Sequence, residues 1–247
     1  MSLEITSDLH THTIYSHGTG TIEDNVKAAI EKGLSQIGIS DHGPGHIGFG
    51  VSRKKLAGIK AEVIQLRKKY PEIEILFSVE ANIIAPAGVL DLRQNEFEYF
   101  DYICAGWHYG ALDGMTFAGI GRTFGNIIRN TPEKATRKQL RRNTDSIIKA
   151  LKTYDIMFLA HPGSSAPVDI LEIALACAET NTLMEINTNH MSLTADDIKL
   201  ITEYSDTKFI VTSDAHSPKR IGDFQPAIDL IKETGLDPAR VANVKET

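Results

Sequence analysis

The sequence predicts an α/β fold with a mostly parallel sheet, built as one domain over residues 1–247. Three observations support this prediction. Short apolar runs rich in β-branched residues alternate with stretches of helical periodicity, which is typical of βα units. A length of 247 residues is usual for a single α/β barrel. No repeat, low-complexity tract or linker divides the chain, and its 42% hydrophobic residues suffice for one large core.

Seven apolar runs predict the strands of the sheet. Each has five to eight residues, a usual length for a buried strand. Because helical stretches separate them, we expect consecutive strands to run parallel and to be joined by βα connections. In chain order the predicted strands cover residues 5–9, 36–40, 73–80, 102–106, 156–160, 183–187 and 209–213.

Two helices can be predicted from their apolar periodicity. Residues 51–66 repeat apolar side chains at three- and four-residue steps, as at Leu56 and Ile59. Residues 133–153 combine an apolar face with a basic face. The basic face could bind nucleic acid, but the apolar opposite face and the flanking acidic residues favour a solvated helix surface. Its basic residues are Lys134, Arg137, Lys138, Arg141 and Arg142.

Composition limits the partners and the compartment that we expect. A net charge of −6 argues against non-specific coating of nucleic acid, so no stable nucleic-acid complex is expected. The two cysteines, Cys104 and Cys177, form no CxxC motif, which favours a reducing, cytoplasmic location. The first ten residues lack the features of a signal peptide, and no apolar run is long enough to cross a bilayer. No membrane association is expected, and no oligomeric state is predicted.

Histidines and carboxylates recur where the predicted strands end. Residues two positions apart in a strand share a face, so His10 and His12 project together beyond the first strand. In a closed βα barrel such strand ends converge on one face, where active sites of this architecture are built. A single histidine would indicate little, but ligand-type residues at equivalent positions of six strands indicate a metal site. The nine candidate ligands are His10, His12, His17, His42, Glu80, His108, His161, Asp214 and His216.

These residues lie in the motifs DLHTH, SHG, SDHGPG, SVEAN, GWHYG, AHPG and TSDAHSP. The motifs extend from residue 8 to residue 218, and they resemble in kind and order those of the PHP family, named after polymerases and histidinol phosphatases. The resemblance implies a distorted (β/α)7 TIM-like barrel with the active site at the C-terminal ends of its strands. It also implies a small, stand-alone, metal-dependent phosphatase with up to three metal ions.

The resemblance further implies a ligand set for each ion. The first ion would be held by His10, His12, Glu80 and Asp214. Glu80 would bridge to the second ion, which His108 and His161 would complete. The third ion would be held by His17, His42 and His216, and at position 17 the family often has aspartate. Because the set is rich in imidazole and has no thiolate, zinc is the expected metal, with manganese or iron as alternatives.

The expected activity is hydrolysis of a phosphomonoester of a small metabolite. Three divalent ions carry six positive charges, and the carboxylates of Glu80 and Asp214 offset only two, so the site favours an anion such as phosphate. Divalent ions also lower the pKa of bound water to roughly 7, which supplies a hydroxide nucleophile at neutral pH. No GxxxxGK[ST] loop and no GxSxG motif points to a different chemistry.

Further residues are candidates for proton transfer or substrate binding. His46 and His190 belong to no ligand motif, and either could protonate the leaving alkoxide. His190 completes the predicted catalytic set with Glu80 and Asp214. Arginine and lysine suit phosphate, so four cations near the motifs are candidate clamps. The predicted substrate contacts are His46, Asn187, Arg122, Arg129, Lys219 and Arg220.

Other segments have roles that the sequence leaves open. Asp8 and Asp41 each precede a ligand histidine, and each could orient that ligand or cap local structure. The segment GPGHIGFG at 43–50 lacks dinucleotide-binding spacing and is predicted to be a mobile loop after His42. The glycine-rich segment 110–131 is long for a connection and could be a substrate lid or a surface excursion.

Three alternative functions are compatible with the sequence. Histidinol phosphatase of histidine biosynthesis is the nearest alternative. A phosphodiesterase or exonuclease acting on short nucleotides is disfavoured by the acidic net charge and by the lack of an aromatic-interleaved basic groove. A non-catalytic, metal-stabilised binding module is disfavoured because every motif position carries a competent ligand.

Overall fold

Strands and helices alternate along the chain. The computed structural model describes residues 3–84, 86–109, 111, 127–129 and 134–246. The strands are β1 Leu3–Ile5, β2 Ser7–Thr11, β3 Gln36–Ile39, β4 Glu74–Ile84, β5 Val89–Leu90, β6 Tyr102–Gly106, β7 Phe158–Leu159, β8 Leu183–Asn187, β9 Phe209–Thr212 and β10 Val244–Glu246. The helices are α1 Ile22–Glu31, α2 Leu56–Lys69, α3 Arg137–Thr153, α4 Ile170–Thr180, α5 Ala195–Tyr204 and α6 Gln225–Thr234.

A mostly parallel sheet, nearly closed into a barrel, forms the centre of the fold. Its strands follow the order β2-β3-β4-β6-β7-β8-β9, and each neighbouring pair is parallel. β5 pairs with β4 in antiparallel fashion, and β1 pairs with β10 in a separate two-stranded sheet. The predicted α/β fold, a distorted barrel with parallel strands, is confirmed.

The barrel closes at a seam between β2 and β9. At the C-terminal end of the seam, the His12 N–H donates to the Ala215 carbonyl at 2.8 Å. Nearer the N-terminal end of β2, the Asn243 side chain bridges the two strands by hydrogen bonds to both. Its Nδ2 donates to the carbonyls of Ser7 (2.9 Å) and Val211 (2.7 Å), and its Oδ1 accepts from the Val211 N–H (3.0 Å). A carboxamide has the same donor and acceptor types as a backbone, so it satisfies both edges.

Apolar side chains pack in two layers. The larger layer lies between the sheet and the helices, where Ile59 of α2 and Ile147 of α3 are almost inaccessible. The smaller cluster unites residues from strands on opposite sides of the barrel, which can meet only in its interior. The Phe158 ring of this smaller cluster lies 5.9 Å from the His10 ring, so the cluster lies directly beneath the candidate ligands. Its buried members are Leu9, Cys104, Phe158, Ala160 and Ile210.

Some boundaries differ from the predicted ones because pairing, and not apolar periodicity, decides them. β4 continues to Ile84, beyond its predicted end at Glu80, because it pairs with β6 and β5 in that stretch. α2 begins at Leu56, after a 3₁₀ turn at Arg53–Lys55, and not at residue 51. β1, β5 and β10 were not predicted, since each has only two or three residues.

Two further predictions, on the glycine-rich segment 110–131 and on membrane-spanning segments, concern residues of which only some are described. Within the segment 110–131, only residues 111 and 127–129 are described. Among the residues that are described, no helix is both long and apolar enough to cross a membrane.

Candidate metal centre

The nine predicted ligands meet at the C-terminal rim of the barrel. His10 lies in β2, with His12 and His17 in the loop beyond it; His42 follows β3, Glu80 lies within β4, His108 follows β6, His161 follows β7, and Asp214 and His216 follow β9. Six of them are buried, with exposures of 6% or less. Parallel strands present their C-terminal ends at one rim, which explains why residues up to 206 positions apart share one cluster.

The Glu80 carboxylate lies at the centre of this cluster and is completely buried. Its Oε1 is 2.7 Å from His161 Nε2 and 2.9 Å from His108 Nε2. Its Oε2 is 2.7 Å from His42 Nδ1. Three imidazoles from three strand ends therefore face the two oxygens of one carboxylate.

Asp214 is a second carboxylate that faces the same Nε2 atoms of His10 and His12 as Glu80 does. Its Oδ1 is 3.1 Å from His12 Nε2 and 3.7 Å from His10 Nε2. The His190 Nε2 is 3.8 Å from Asp214 Oδ2, although the His190 side chain is 53% exposed. His190 is thus the one predicted proton donor next to a ligand carboxylate.

Within the described residues, three groups have ligand atoms close enough to share a cation, all within 4.8 Å of one another. They partly reproduce the three sets that the sequence implied. His12 joins the third set in addition to the first, and His42 is grouped with Glu80 and His108. The groups are His10, His12 and Asp214; His42, Glu80 and His108; and His12, His17, His42 and His216.

Unsatisfied buried atoms indicate that the cluster suits cations. An unpaired buried polar atom costs free energy, so native structures seldom contain several side by side. Here His10 Nε2, His12 Nε2, His17 Nδ1, His42 Nδ1 and Glu80 Oε2 all lack a hydrogen-bond partner. The close His42–Glu80 contact does not have hydrogen-bond geometry. Imidazole nitrogens and a carboxylate aimed at common points fit bound divalent metal ions.

Burial keeps several of the imidazoles neutral, which is the form that binds a metal. It lowers the pKa of His12 well below the usual range, despite the nearby carboxylate of Asp214. Burial, together with the neighbouring His216 and His42, lowers the pKa of His17 to about 4. Burial likewise lowers the pKa of His108 to about 4 and outweighs the opposing effect of Glu80. Neutral rings remain available as ligands at neutral pH.

The carboxylates are held ionised by the same neighbours. Burial alone would raise the pKa of Glu80, but His108, His42 and His10 outweigh it and hold this pKa well below the usual range. Burial opposes charge on His10 as well, but the carboxylates of Glu185, Asp214 and Glu80 raise its pKa well above the usual range. The cluster therefore contains permanent negative charge that a cation can neutralise.

Two ligands have strained backbones. His161 has a φ of 28° and Asp214 a φ of 48°, values that residues other than glycine seldom adopt. Each residue lies two positions beyond the end of a strand of the barrel. The His161 N–H donates to Glu185 Oε2 at 2.5 Å, which helps to hold the unusual conformation. Such strain is typical of functional sites.

Glu185 is a site residue that the sequence analysis missed. It is fully buried in β8, and its carboxylate accepts four hydrogen bonds. Oε1 accepts from His10 Nδ1 (2.6 Å) and Thr212 Oγ1 (2.5 Å), and Oε2 accepts from the His161 N–H and from Asn187 Nδ2 (2.8 Å). The bond to Nδ1 leaves Nε2 of His10 as the free ligand atom. A charged residue within the apolar run LMEIN was the signal that could have identified it.

The aspartates at positions 8 and 41 have different roles. Asp41 accepts from the Thr13 N–H (2.7 Å) and from Ser16 Oγ (2.5 Å), and Ser16 Oγ is 3.4 Å from His12 Nδ1. Asp41 thus organises the loop that carries two ligands. Asp8 accepts from the backbone of Ser213 and Gly222, at 3.0 Å each, and so fixes the chain around Asp214 without contacting its side chain.

A cleft of about 480 Å³ opens over the cluster. Of the predicted substrate contacts, His46 lines it, as does the predicted proton donor His190. Asn187 is buried beside it, where Nδ2 donates to Asp214 Oδ2 at 3.1 Å. The remaining described residues of the lining are His17, His42, Phe49, Glu80, His108, Tyr109, Ile127, His161, Ser164, Ser165, Asp214 and His216.

The three predicted phosphate clamps that are described, Arg129, Lys219 and Arg220, do not lie in this lining. Arg129 is exposed, and Lys219 and Arg220 form an exposed 3₁₀ turn in which Arg220 pairs with Asp223 at 3.3 Å. Arg122 lies outside the described residues. Phe49, Tyr109 and the two serines of the lining were not predicted, because no motif distinguishes an ordinary loop residue from one that faces a cleft.

Comparison with known proteins finds relatives along nearly the whole chain. The model of the PHP domain family matches residues 8–189. A protein named "Probable phosphatase" from Thermoanaerobacter sp. (strain X514) is 28% identical over 255 residues, which cover 98% of this chain and 91% of that protein. Another "Probable phosphatase", from Shewanella sediminis (strain HAW-EB3), is 26% identical over 250 residues, covering 96% of this chain and 88% of that protein. These names indicate a hydrolase.

A solved structure shares the fold. It is histidinol phosphate phosphatase from Lactococcus lactis subsp. lactis Il1403, complexed with zinc, L-histidinol and phosphate. The TM-score is 0.63 with 18% sequence identity, and the match covers 94% of each chain. The similarity supports the barrel architecture described above.

Glu185→Gln is expected to weaken zinc binding about 10–100-fold, which is typical for the loss of a partner of a ligand histidine. The glutamine amide cannot accept hydrogen bonds at its nitrogen, so at least one of the four donors loses its acceptor. The measurement is competition for zinc between the protein and a chromophoric chelator. Glu233→Gln on the exposed surface of α6 is the matched control. Wild-type affinity in the Glu185 variant would contradict the assignment.

Proposed function

The chain belongs to the PHP domain family, whose model matches residues 8–189, and from this membership we propose a metal-dependent phosphatase that hydrolyses a phosphomonoester of a small metabolite. One observation carries the proposal: seven imidazoles and two carboxylates cluster at the base of one cleft, where five of their buried atoms lack hydrogen-bond partners. A donor set of this kind binds divalent cations, and a floor of such cations binds phosphate.

The proposal includes three divalent ions, of which zinc fits the imidazole-rich ligands best. Their ligands are the nine predicted residues, and His12 and His42 are each close to two of the three groups. Such ions, when bound, lower the pKa of water from 15.7 to roughly 7 and neutralise phosphoryl oxygens. Glu80 and Asp214 supply the negative charge that holds the ions together, and they leave a net positive floor for the phosphate.

The ligand side chains have fixed orientations before substrate binds. Glu185 holds the His10 ring through Nδ1, and Ser164 Oγ lies 2.9 Å from His161 Nδ1. Asn187 ties the Glu185 carboxylate to Asp214 through its Nδ2 at 2.8 and 3.1 Å. Fixed ligands do not have to reorganise during the reaction, which is the main requirement for electrostatic stabilisation of a phosphoryl transition state.

His190 is the proposed proton donor to the leaving alkoxide. It lines the cleft, and its ring lies 5.5 Å from that of His161 and near Asp214. Burial and the neighbouring His161 lower its pKa from the usual value. His46 is less suitable, because its Nδ1 accepts from the backbone of Gly48 and Phe49 and its ring covers His42. We therefore assign His46 to the substrate-facing wall.

Hydrolysis of a panel of phosphomonoesters by protein reconstituted with zinc or manganese tests the proposal. We expect activity that disappears when a chelator removes the metal and returns on adding it back. The panel contains sugar phosphates, mononucleotides and L-histidinol phosphate, with bis(p-nitrophenyl) phosphate as a diester. A strong preference for L-histidinol phosphate would favour the histidinol phosphatase alternative. Lack of hydrolysis across the panel, with metal demonstrably bound, would refute the phosphatase.

Glu80→Gln is expected to remove more than one metal ion, because this carboxylate faces ligands of two groups. The amide keeps one neutral oxygen and loses the charge that the imidazoles stabilise. The measurement is metal content by mass spectrometry after equilibration with zinc and removal of the excess. Glu98→Gln, in an exposed position, is the control. Full metal content in the Glu80 variant would show that the bridging assignment is wrong.

A further inference from the structure

We infer that the site selects monoesters with a single phosphate and an apolar, ring-containing alcohol part; this inference rests on the proposed function. The cleft has two unlike zones. The floor consists of the metal-ligand side chains and fits the phosphate. The wall above it, formed by residues with no ligand role, determines which alcohol part can be accommodated. Its described members are His46, Phe49, Tyr109, Ile127, Ser164 and Ser165.

The wall presents large apolar side chains to the cleft. Phe49 is 46% exposed and Ile127 is 49% exposed, although both are large and apolar. Tyr109 adds a second aromatic ring to the lining. An apolar substrate group that covers these side chains removes apolar area from water on both partners, which favours binding in proportion to that area.

Phe49 is held in place before any ligand binds. Its N–H donates to His46 Nδ1 at 3.0 Å, and its ring stacks on that of His17 with centroids 4.4 Å apart. The His46 ring lies 5.1 Å away in a stacked orientation. The exposed part of the Phe49 ring is therefore a fixed surface beside the cluster, and fixed aromatic surfaces favour planar partners.

Charge on the wall argues against substrates with several anionic groups. Among the described residues of the cleft lining, none is lysine or arginine, and the carboxylates are the ligands Glu80 and Asp214. A second phosphate held above the floor would meet Phe49 and Ile127, and no lysine or arginine among the described lining residues could pair with it. Partial burial of an unpaired anion is costly.

Esters with alcohols of similar basicity test the inference, since they separate binding from leaving-group chemistry. The substrates are 2-phenylethyl phosphate, n-butyl phosphate, glycerol 1-phosphate and fructose 1,6-bisphosphate. We expect kcat/KM for 2-phenylethyl phosphate to exceed that for glycerol 1-phosphate about tenfold or more, with the bisphosphate lowest. Phe49→Ala should reduce this ratio to within about twofold of unity, and Phe49→Trp should retain it. Ile64→Ala, an exposed apolar residue on α2, is the control.

The outcomes separate the inference from the proposed function. No hydrolysis of any ester refutes the phosphatase itself. Hydrolysis without preference for the phenyl ester, or with preference for the bisphosphate, overturns the inference and leaves the phosphatase standing. A preference that survives Phe49→Ala unchanged also overturns the assignment of Phe49. Loss of the preference in that variant, and its retention in Phe49→Trp, supports it.

A separate set of contacts points to Asp91 as a positioning residue for His108. The Asp91 carboxylate accepts from the Asn82 N–H (2.9 Å) and from Asn82 Nδ2 (2.6 Å). These bonds fix the orientation of the Asn82 amide, whose Oδ1 lies 2.8 Å from His108 Nδ1. An amide oxygen can only accept, so Nδ1 of His108 carries the proton. Nε2 is then the free atom, and it faces Glu80 Oε1 at 2.9 Å.

The same carboxylate anchors the loop that carries Phe49. Asp91 Oδ2 also accepts from the Gly45 N–H at 2.6 Å. The loop approaches so closely that a Cβ on Gly43 would be 2.4 Å from Asp91 Oδ1, and one on Gly45 would be 2.6 Å from Asp91 Cβ. Asp91 therefore links a ligand histidine to the wall of the cleft, although Asp91 itself is not one of the residues that line the cleft.

Exchanging the two side chains tests this role. In Asp91→Asn the new amide can present its NH2 group to the NH2 group of Asn82, which is an unfavourable contact between two donors. A flip of the Asn82 amide relieves this contact, but it places the Asn82 NH2 group against His108 Nδ1 and so favours the Nε2–H tautomer of His108. The double variant Asn82→Asp/Asp91→Asn restores an acceptor for His108 Nδ1 and a donor–acceptor pair between the two side chains, and only the Gly45 N–H then loses its acceptor. The readouts are the ¹⁵N shifts of the His108 ring in metal-free protein and the affinity for zinc.

We expect Asp91→Asn to shift His108 toward the Nε2–H tautomer and to weaken zinc binding about 10–100-fold. The double variant should recover the wild-type tautomer and bind zinc within about threefold of wild type. An unchanged tautomer and affinity in Asp91→Asn would overturn the assignment. A double variant that folds but keeps His108 in the Nε2–H tautomer would also overturn the assignment. This second test is decisive even if the single variant does not fold.

Discussion

The complete burial of the Glu80 carboxylate is the constraint on which the rest of the site depends. An ionised group without access to water is tolerated only when charged or polar partners surround it. Here imidazoles from three strand ends surround the two oxygens, at 2.7 to 2.9 Å. Only a sheet that curves nearly into a barrel brings β3, β6 and β7 around β4 in this way. The cluster can therefore assemble only when the sheet curves nearly into a barrel.

Closure in turn depends on polar side chains that replace missing backbone pairs. Asn243 satisfies both edges of the seam, and Asp8 fixes the backbone that leads to Asp214. Within the cluster, Glu185 orients His10, and Asp91 acts on His108 through Asn82. Several of the predicted ligands, among them His10 and His108, are thus held by a second residue on a neighbouring element. Rigid ligands are what a multi-ion site needs, since a displacement at one ligand affects every ion that shares it.

The sequence predicted the fold and the cluster because both depend on periodicity and spacing. A strand end followed by a histidine or a carboxylate can be recognised locally, and six such ends indicate one rim. Glu185 was missed because it lies in the middle of a strand, where an apolar run conceals one charged residue. The role of Asn243 depends on a contact with residues 7 and 211, which no local pattern encodes. The cations at 129, 219 and 220 were predicted from their charge and their place near the motifs, and neither determines which way a side chain faces.

Chemistry and selectivity lie on different parts of the fold. The predicted ligands lie within the strands of the barrel or in the loops just beyond them, close to the rim. The wall is formed by loops, of which the segment around Phe49 is anchored by Asp91 at a single point, the Gly45 N–H. A change of residue 49 or 127 would alter the surface that meets the alcohol part, and a change of residue 49 would also alter the stacking on the His17 ring. The proposed selectivity for monoesters with apolar, ring-containing groups therefore depends on the wall, and the proposed metal chemistry depends on the floor.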